Sequence, residues 1–93
     1  MKILQSRSFR NKVKKLNKKE KEILDTEVTK IVKDPNIGIE KKGDLRGVFV
    51  HKFKIHTVLY LLSYRIMNEN LALIMLGPHE NYYRALKTYL RNQ

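Results

Sequence analysis

The spacing of the hydrophobic residues changes near residue 35, and this change restricts the folds that the chain can adopt. Upstream, two segments carry the i, i+4, i+7 spacing of one helix face, at Phe9, Val13 and Leu16 and again at Leu24, Val28 and Ile31. Downstream, between residues 48 and 66, side chains alternate with a period of two, which is typical of β-strands. Helices followed by a run of strands predict an α+β fold.

Local signals place the ends of the two helices. A short strand is predicted over Lys2–Gln5, before the first helix. Asn17 and Glu20 have the spacing of an N-cap and its N3 partner, which predicts that the second helix begins there. The pair Asp34-Pro35 ends it, because proline cannot continue a helix and disfavours helical geometry in the residue before it. The two helices therefore form an antiparallel hairpin in this prediction.

The second half of the chain predicts three strands and one helix. Residues 36–47 contain three glycines and read as a loop, whose apolar residues are expected to point inward: Ile37, Ile39 and Leu45. Strands are predicted over 48–55, 57–66 and 71–76, with a hairpin turn at 67–70. The last strand is apolar on both faces, as a covered central strand is.

A closing helix is predicted from one apolar stripe, formed by Tyr82, Leu86, Tyr89 and Leu90. The predicted order is β-α-α-β-β-β-α, with an antiparallel sheet packed by the helical hairpin and the C-terminal helix. The 93 residues favour one domain spanning 1–93.

The net charge of +11 predicts a polyanionic partner. The first 33 residues hold 11 Lys and Arg against 4 Asp and Glu, so the excess is greatest there. The absence of cysteine excludes disulfides and thiolate chemistry, and no sequence pattern indicates a metal or another cofactor. No targeting or membrane-spanning segment is apparent, so a cytoplasmic protein without a membrane partner is expected.

The segment from Leu76 to Arg84 is the least typical of a scaffold. It places His79, two tyrosines (Tyr82 and Tyr83) and a guanidinium where a strand leads into a helix, a position that exposes side chains. A purely structural alternative remains open, in which Glu80 or Asn81 caps the helix and one or both tyrosines belong to the core.

A second group of candidate residues lies on the strands. Lys52 and Lys54 are two residues apart, so they project from one strand face about 7 Å from each other and match consecutive phosphates of an extended RNA. The alternative is that they are solvent-facing residues of an amphipathic strand, which explains Lys54 taken alone equally well. His51 shares its face with Phe49 and Phe53 and is expected to be half-buried rather than catalytic, whereas His56 is expected to be exposed at a turn.

RNA cleavage by internal transesterification needs no metal; it needs a base, a proton donor and positive charge on the phosphate. An imidazole serves as base or acid near neutral pH. The candidate catalytic residues are His79, Tyr82, Tyr83 and Arg65. The candidate RNA- or ribosome-binding residues are Lys52, Lys54, Arg84, Lys12, Lys15, Lys18 and Lys19.

The element order and two motifs resemble the RelE/ParE superfamily of bacterial type II toxins, and its HigB-like and ParE-like branch in particular. The motifs are Gly43-Asp44-Leu45-Arg46-Gly47 before the strands and Gly77 to Arg84 after them. The resemblance covers essentially the whole chain. It implies a toxin held in check by a cognate antitoxin, and for RelE-like members it implies cleavage of mRNA in the ribosomal A site.

Carried over by position, the resemblance implies roles for individual residues. Lys52 and Lys54 match the superfamily's Lys-x-Lys, His79 stands where members carry a catalytic arginine or histidine, and Tyr82 or Tyr83 stands near its C-terminal tyrosine. One departure is clear. Many members have an arginine early in the middle strand, whereas this chain has no cation in 57–60, and Arg65 is the substitute farther along.

Three functions are therefore compared. The first is a ribosome-dependent mRNA endonuclease, favoured by His79 and the neighbouring phenols. The second is a DNA gyrase inhibitor without nuclease activity, favoured by the missing middle-strand arginine. The third is an inert or DNA-binding domain that uses its basic N-terminal hairpin, and it ranks last because no recognition helix is apparent.

Overall fold

A computed structural model of the chain describes residues 1–92 and contains five strands and three helices. The strands are β1 (Ile3–Gln5), β2 (Ile39–Glu40), β3 (Phe49–Ile55), β4 (Val58–Met67) and β5 (Asn70–Pro78). The helices are α1 (Arg7–Lys14), α2 (Lys18–Lys33) and α3 (Tyr82–Arg91), with one 3₁₀ turn over Gly43–Leu45. No helix within residues 1–92 is long and apolar enough to cross a membrane.

The five strands form one sheet in the order β1-β5-β4-β3-β2. Strands β2 to β5 pair antiparallel, as predicted, whereas β1 joins the edge of β5 in parallel. Strand β5 has a neighbour on each side and an apolar residue on both faces, which confirms the covered strand predicted from its sequence. The α+β class and the predicted order of the helices and longer strands are confirmed.

Local chemistry explains where the elements begin and turn. The Asn17 side chain accepts from the backbone N–H of Glu20 at 2.8 Å, and the Glu20 carboxylate accepts from the N–H of Asn17 at 2.9 Å. This reciprocal capping box confirms the predicted start of α2. Asn68 and Glu69 join β4 to β5 with φ of 50° and 69°. Positive φ at both central residues is the geometry of a type I′ hairpin turn.

The helices cover the two faces of the sheet and bury two apolar clusters. Helices α1 and α2 pack over one face, where the core includes Phe9, Ile31 and Leu62. Helix α3 packs over the other face, where Leu61 and Leu86 are fully buried. We call the second face the α3 face; it is the face on which the candidate site lies.

The segment 36–47 is more ordered than the predicted loop. It contains strand β2, which pairs with β3, and the 3₁₀ turn. Leu45 is buried as expected, but Ile37 and Ile39 are 40% and 60% exposed, so the prediction that both point into the core was wrong. Strand β2 has two residues and lies at the edge of the sheet, so another strand adjoins it on one side only.

A histidine–carboxylate pair connects α2 to β3. The His51 ring nitrogen Nε2 lies 2.7 Å from Oε1 of Glu27, and the His51 ring stacks on Phe53. His51 is buried, more fully than the half-burial predicted from its strand face. Burial opposes ionisation of Glu27, but hydrogen bonds from His51 and Lys30 outweigh it, so the pKa of Glu27 falls below its usual range.

The lowered pKa of Glu27 predicts a pH-dependent loss of stability. A carboxylate with a depressed pKa stabilises the folded state at pH values above its unfolded pKa, and the contribution disappears as the pH falls through the folded pKa. We therefore expect Glu27→Gln to lower the free energy of unfolding at pH 7 and to have a smaller effect near pH 3. Urea unfolding of both proteins at the two pH values measures this difference; an equal effect at both would contradict it.

Candidate functional site

The register of the sheet places Lys52 and Lys54 on the α3 face. Each opposes a residue of β4: Lys52 pairs with Leu61 and Lys54 with Leu59. Directly opposed residues of an antiparallel pair point to the same face, and Leu61 belongs to the cluster beneath α3. Both lysine side chains are exposed. The two ammonium groups therefore project from one side of β3, beside the edge of the region that α3 covers.

His79 joins the same face from the end of β5. Leu61 opposes Gly77, and the backbone N–H of His79 donates to the carbonyl oxygen of Leu59 at 3.0 Å. His79 therefore continues the row formed by Lys54 and Leu59. Two strand spacings separate the Cα atoms of Lys54 and His79 by about 10 Å. The imidazole is exposed, and the two lysines and the histidine that were predicted from separate motifs lie on one surface.

Tyr83 is the tyrosine that faces this surface. Its ring makes an edge contact with the His79 ring, with centroids 6.5 Å apart, and Nζ of Lys41 lies 4.9 Å from the centroid of the same ring. The Tyr83 hydroxyl is buried without a hydrogen-bond partner within residues 1–92. A buried polar atom without a partner costs free energy, so this hydroxyl does not stabilise the fold.

Tyr82 lies in the core beneath α3. It is 3% exposed, and its hydroxyl oxygen is 2.6 Å from the carbonyl oxygen of Met75 and 2.8 Å from Oγ of Ser63. Burial raises the pKa of Tyr82 well above its usual range. The hydroxyl is occupied by protein groups, so of the two predicted tyrosines the structure brings only Tyr83 to His79.

Backbone geometry sets the direction in which α3 begins. Asn81 occupies the N-cap position with φ of 60°, a left-handed conformation that asparagine tolerates better than most residues. Its side chain makes no capping hydrogen bond. The structure therefore does not adopt the alternative in which the Asn81 side chain caps the helix. Instead, the bend at Asn81 turns the chain from His79 into the helix that carries Tyr83.

Arg65 lies at the other end of the sheet from His79. It pairs with Ala72 and lines a groove with Leu4 and Met67, near β1. Along β4 it is about 20 Å from Leu59 at the rise of an extended strand. The middle strand presents Leu59 and Leu61 to the lysines and His79, so Arg65 does not substitute for the absent cation there.

The remaining basic candidates belong to other surfaces. Lys18 and Lys19 begin α2, on the opposite face of the sheet from His79. Lys12 and Lys15 line a groove beside β5, and Arg84 lines an adjoining groove. Both grooves include Arg7 and Tyr89. These residues form a basic border between α1 and α3 that is separate from the candidate site.

The other two histidines do not join the site. His51 contacts Glu27, and His56 is exposed in the turn between β3 and β4 with φ of 57°, as predicted. Within residues 1–92 no group of three or more His, Cys, Asp or Glu side chains is arranged to hold a metal ion. The candidate site thus consists of Lys52, Lys54, His79 and Tyr83, with Lys41 beside it.

Lys41 was missed by the sequence reasoning. It lies in the segment that was predicted to be a loop. Its backbone pairs with Val48, in continuation of the β2–β3 pairing, and this pairing places it on the α3 face. A pair of lysines before a glycine has many explanations, so no pattern in the sequence distinguishes it. The contact with Tyr83 depends on the packing of α3 against the sheet.

Solved structures with the same fold include those of E. coli RelE toxins. The chain is similar to RelE of E. coli in the intact RelBE toxin–antitoxin complex, with 20% identity, a TM-score of 0.67, and coverage of 85% of this chain and 96% of that one. Isolated E. coli RelE matches with 21% identity, a TM-score of 0.64, and coverage of 94% and 96%. A mutant of E. coli RelE in the free state, in which two arginines are replaced by alanine, matches with 18% identity, a TM-score of 0.72, and coverage of 99% and 97%.

A family profile identifies the chain more directly than these structures do. The profile described as "ParE-like toxin of type II bacterial toxin-antitoxin system" matches residues 3–87. No curated protein matches the chain at a significant level. The chain belongs to the ParE-like toxins of type II toxin–antitoxin systems, within the RelE/ParE superfamily, which confirms the resemblance seen in its sequence.

Proposed function

We propose that this toxin is a ribosome-dependent endoribonuclease that cleaves mRNA in the cytoplasm and so inhibits translation. The observation that carries the proposal is the placement of Lys52, Lys54, His79 and Tyr83 on one exposed surface. The RelE fold of the solved relatives adds support.

The proposed reaction is an internal transesterification that needs no cofactor. A base takes the proton of the ribose 2′-hydroxyl, the 2′-oxygen attacks the phosphorus, and the bond from phosphorus to the 5′-oxygen breaks. The products are a 2′,3′-cyclic phosphate and a 5′-hydroxyl, which receives a proton. His79 supplies the imidazole of the site and is the proposed base, and Lys52 and Lys54 stabilise the charge that develops on the phosphate.

Few catalytic groups suffice if the ribosome positions the message. Holding the reacting atoms in line lowers the barrier by about 7–11 kcal/mol in well-oriented systems, without any added chemical group. The Tyr83 ring contributes by position: its edge contacts the His79 ring, and Nζ of Lys41 lies over its face. This division of labour explains why a surface with one exposed imidazole is enough for the proposed activity.

One observation favours a second function, inhibition of DNA gyrase without nuclease activity. The middle strand presents Leu59 and Leu61 where many RelE-like members have an arginine, and Arg65 lies at the opposite end of the sheet from His79. The ParE-like family to which the chain belongs agrees with this alternative. The endonuclease remains the first candidate because the gyrase function does not account for His79 beside the two lysines.

The proposed partner in the resting state is a cognate antitoxin. A chain with a net charge of +11 attracts an acidic segment, and one of the solved relatives is a toxin in complex with its antitoxin. The basic border between α1 and α3, with Arg7, Arg84 and the ring of Tyr89, offers both charge and apolar surface to such a segment.

Brief induced expression followed by primer extension on a translated message tests the proposed function. We expect cuts in register with the reading frame, and no cuts in a matched message whose start codon has been removed. An intact message together with cleaved chromosomal DNA would instead establish the gyrase alternative. Cuts in both messages would show a nuclease that does not depend on the ribosome.

A further inference from the structure

The central strand contributes no positive charge to the candidate site. On the α3 face its residues beside the lysines are Leu59 and Leu61, and Leu61 is fully buried. Lys52 and Lys54 both come from β3. Any further charge for an RNA backbone has to come from outside β3 and β4, and a lysine at the β2 edge of the sheet is a neighbour of this kind.

Lys41 is that neighbour, and the structure holds its ammonium group in place. The backbone N–H of Lys41 donates to the carbonyl oxygen of Val48 at 2.8 Å, so Lys41 extends the β2–β3 pairing. Val48 and Lys52 lie on the same face of β3, four residues apart. The Lys41 side chain lies across the Tyr83 ring, with Nζ 4.9 Å from the centroid.

The surroundings of Lys41 favour an added anion. The residue is half-buried, and neither of the two salt bridges found within residues 1–92 involves it. Its contact with Tyr83 is a cation–π interaction, which offsets part of the cost of desolvating the charge but leaves it unneutralised. A phosphate that reaches this point gains a charge-assisted hydrogen bond from a donor already in position.

We propose that Lys41 is a third phosphate-binding residue of the site, braced by Tyr83. The proposal rests on the proposed cleavage of RNA and specifies how the RNA strand lies: along β3 and the edge strand β2, over Lys54, Lys52 and then Lys41. Lys41 supplies from the sheet edge the charge that the central strand lacks. Tyr83 acts as a positioning residue, because Lys41 covers one face of its ring and keeps a base from stacking there.

The affinity for RNA and its dependence on salt test this assignment. The probe is a single-stranded oligoribonucleotide with 2′-O-methyl groups, which the toxin cannot cleave, titrated by fluorescence anisotropy between 50 and 200 mM salt. Losing one phosphate contact reduces the slope of log K against log salt by about 0.7, which corresponds to about fivefold weaker binding at 0.1 M salt. We expect this change for Lys41→Met and little change for Lys41→Arg.

Lys42 provides the matched control, since it is the adjacent residue with the same charge but is exposed. Lys42→Met should bind within about twofold of the unaltered toxin, because a solvated charge adds little. An unchanged slope in Lys41→Met, or an equal loss in Lys42→Met, would overturn the proposal. Thermal unfolding of each variant shows whether it is folded. If Lys41→Met binds weakly because it is unfolded, Lys41→Gln is used in its place.

The same variants separate this proposal from the proposed cleavage. If the toxin binds the oligoribonucleotide through Lys41 but leaves translated messages intact, the assignment of Lys41 stands and the proposed endonuclease activity is wrong. If the unaltered toxin and Lys41→Met cut messages at equal rates and bind RNA with equal affinity, the endonuclease activity stands and the assignment of Lys41 is wrong.

Discussion

Replacement of His79 by asparagine is expected to reduce the rate of message cleavage by about 10²- to 10⁴-fold, the range that one general acid or base contributes. The amide of asparagine neither takes nor gives a proton near neutral pH. His79 is exposed, and its backbone N–H donates to Leu59 whatever the side chain. The fold should therefore be retained, with a change in the free energy of unfolding within about 0.5 kcal/mol.

His56→Asn is the control for the loss of an imidazole. His56 is exposed in the turn after β3 at positive φ, a conformation that asparagine accepts, and none of the aromatic contacts of His79 and Tyr83 found within residues 1–92 involves it. We expect normal translation arrest on expression of His56→Asn and relief of arrest with His79→Asn. A folded His79→Asn variant that cuts messages at the normal rate would remove this residue from the mechanism.

Loss of the Tyr82 side chain is expected to have the largest effect on stability among the site candidates. Tyr82→Ala should lower the free energy of unfolding by about 3–5 kcal/mol, the usual cost of removing a buried aromatic ring. The side chain is 3% exposed and packs with Leu86 in the cluster beneath α3. A typical domain is stable by only about 5–15 kcal/mol, so this variant should unfold at a much lower urea concentration.

The two adjacent tyrosines give opposite expectations for the change to phenylalanine. Tyr82→Phe leaves the carbonyl of Met75 and Oγ of Ser63 without the phenol and should cost about 1–3 kcal/mol. Tyr83→Phe removes a buried hydroxyl that has no partner within residues 1–92, so stability should be equal or higher. Equal losses in the two variants would contradict the assignment of Tyr82 to the core and Tyr83 to the site.

The helices and their ends were predictable because their causes are local. The capping box of Asn17 and Glu20 joins atoms three residues apart, and proline acts on the residue before it. The period of two in β3 and β4 gave the strands and placed Lys52 and Lys54 on one face. Strand β2 was not predictable, because two residues show no period.

The candidate site was predictable in its parts and not in its arrangement. The motif around His79 singled out the segment that lies at the candidate site, since a strand-to-helix junction exposes its side chains. The choice between Tyr82 and Tyr83 depends on how α3 rotates over the sheet. The separation of Arg65 from His79 depends on strand register, because Arg65 lies near the end of β4 and His79 lies beside its start.

The sequence by itself determined the α+β fold, the order of its main elements and the toxin superfamily, because hydrophobic period, capping and motif spacing are properties of short segments. Tertiary structure alone decided that Lys52, Lys54, His79 and Tyr83 share a surface and that Lys41 adjoins it. These residues lie on, or directly after, four different elements, and strand register and helix packing bring them together. The spacing of residues along the sequence does not determine the distances between residues on different elements.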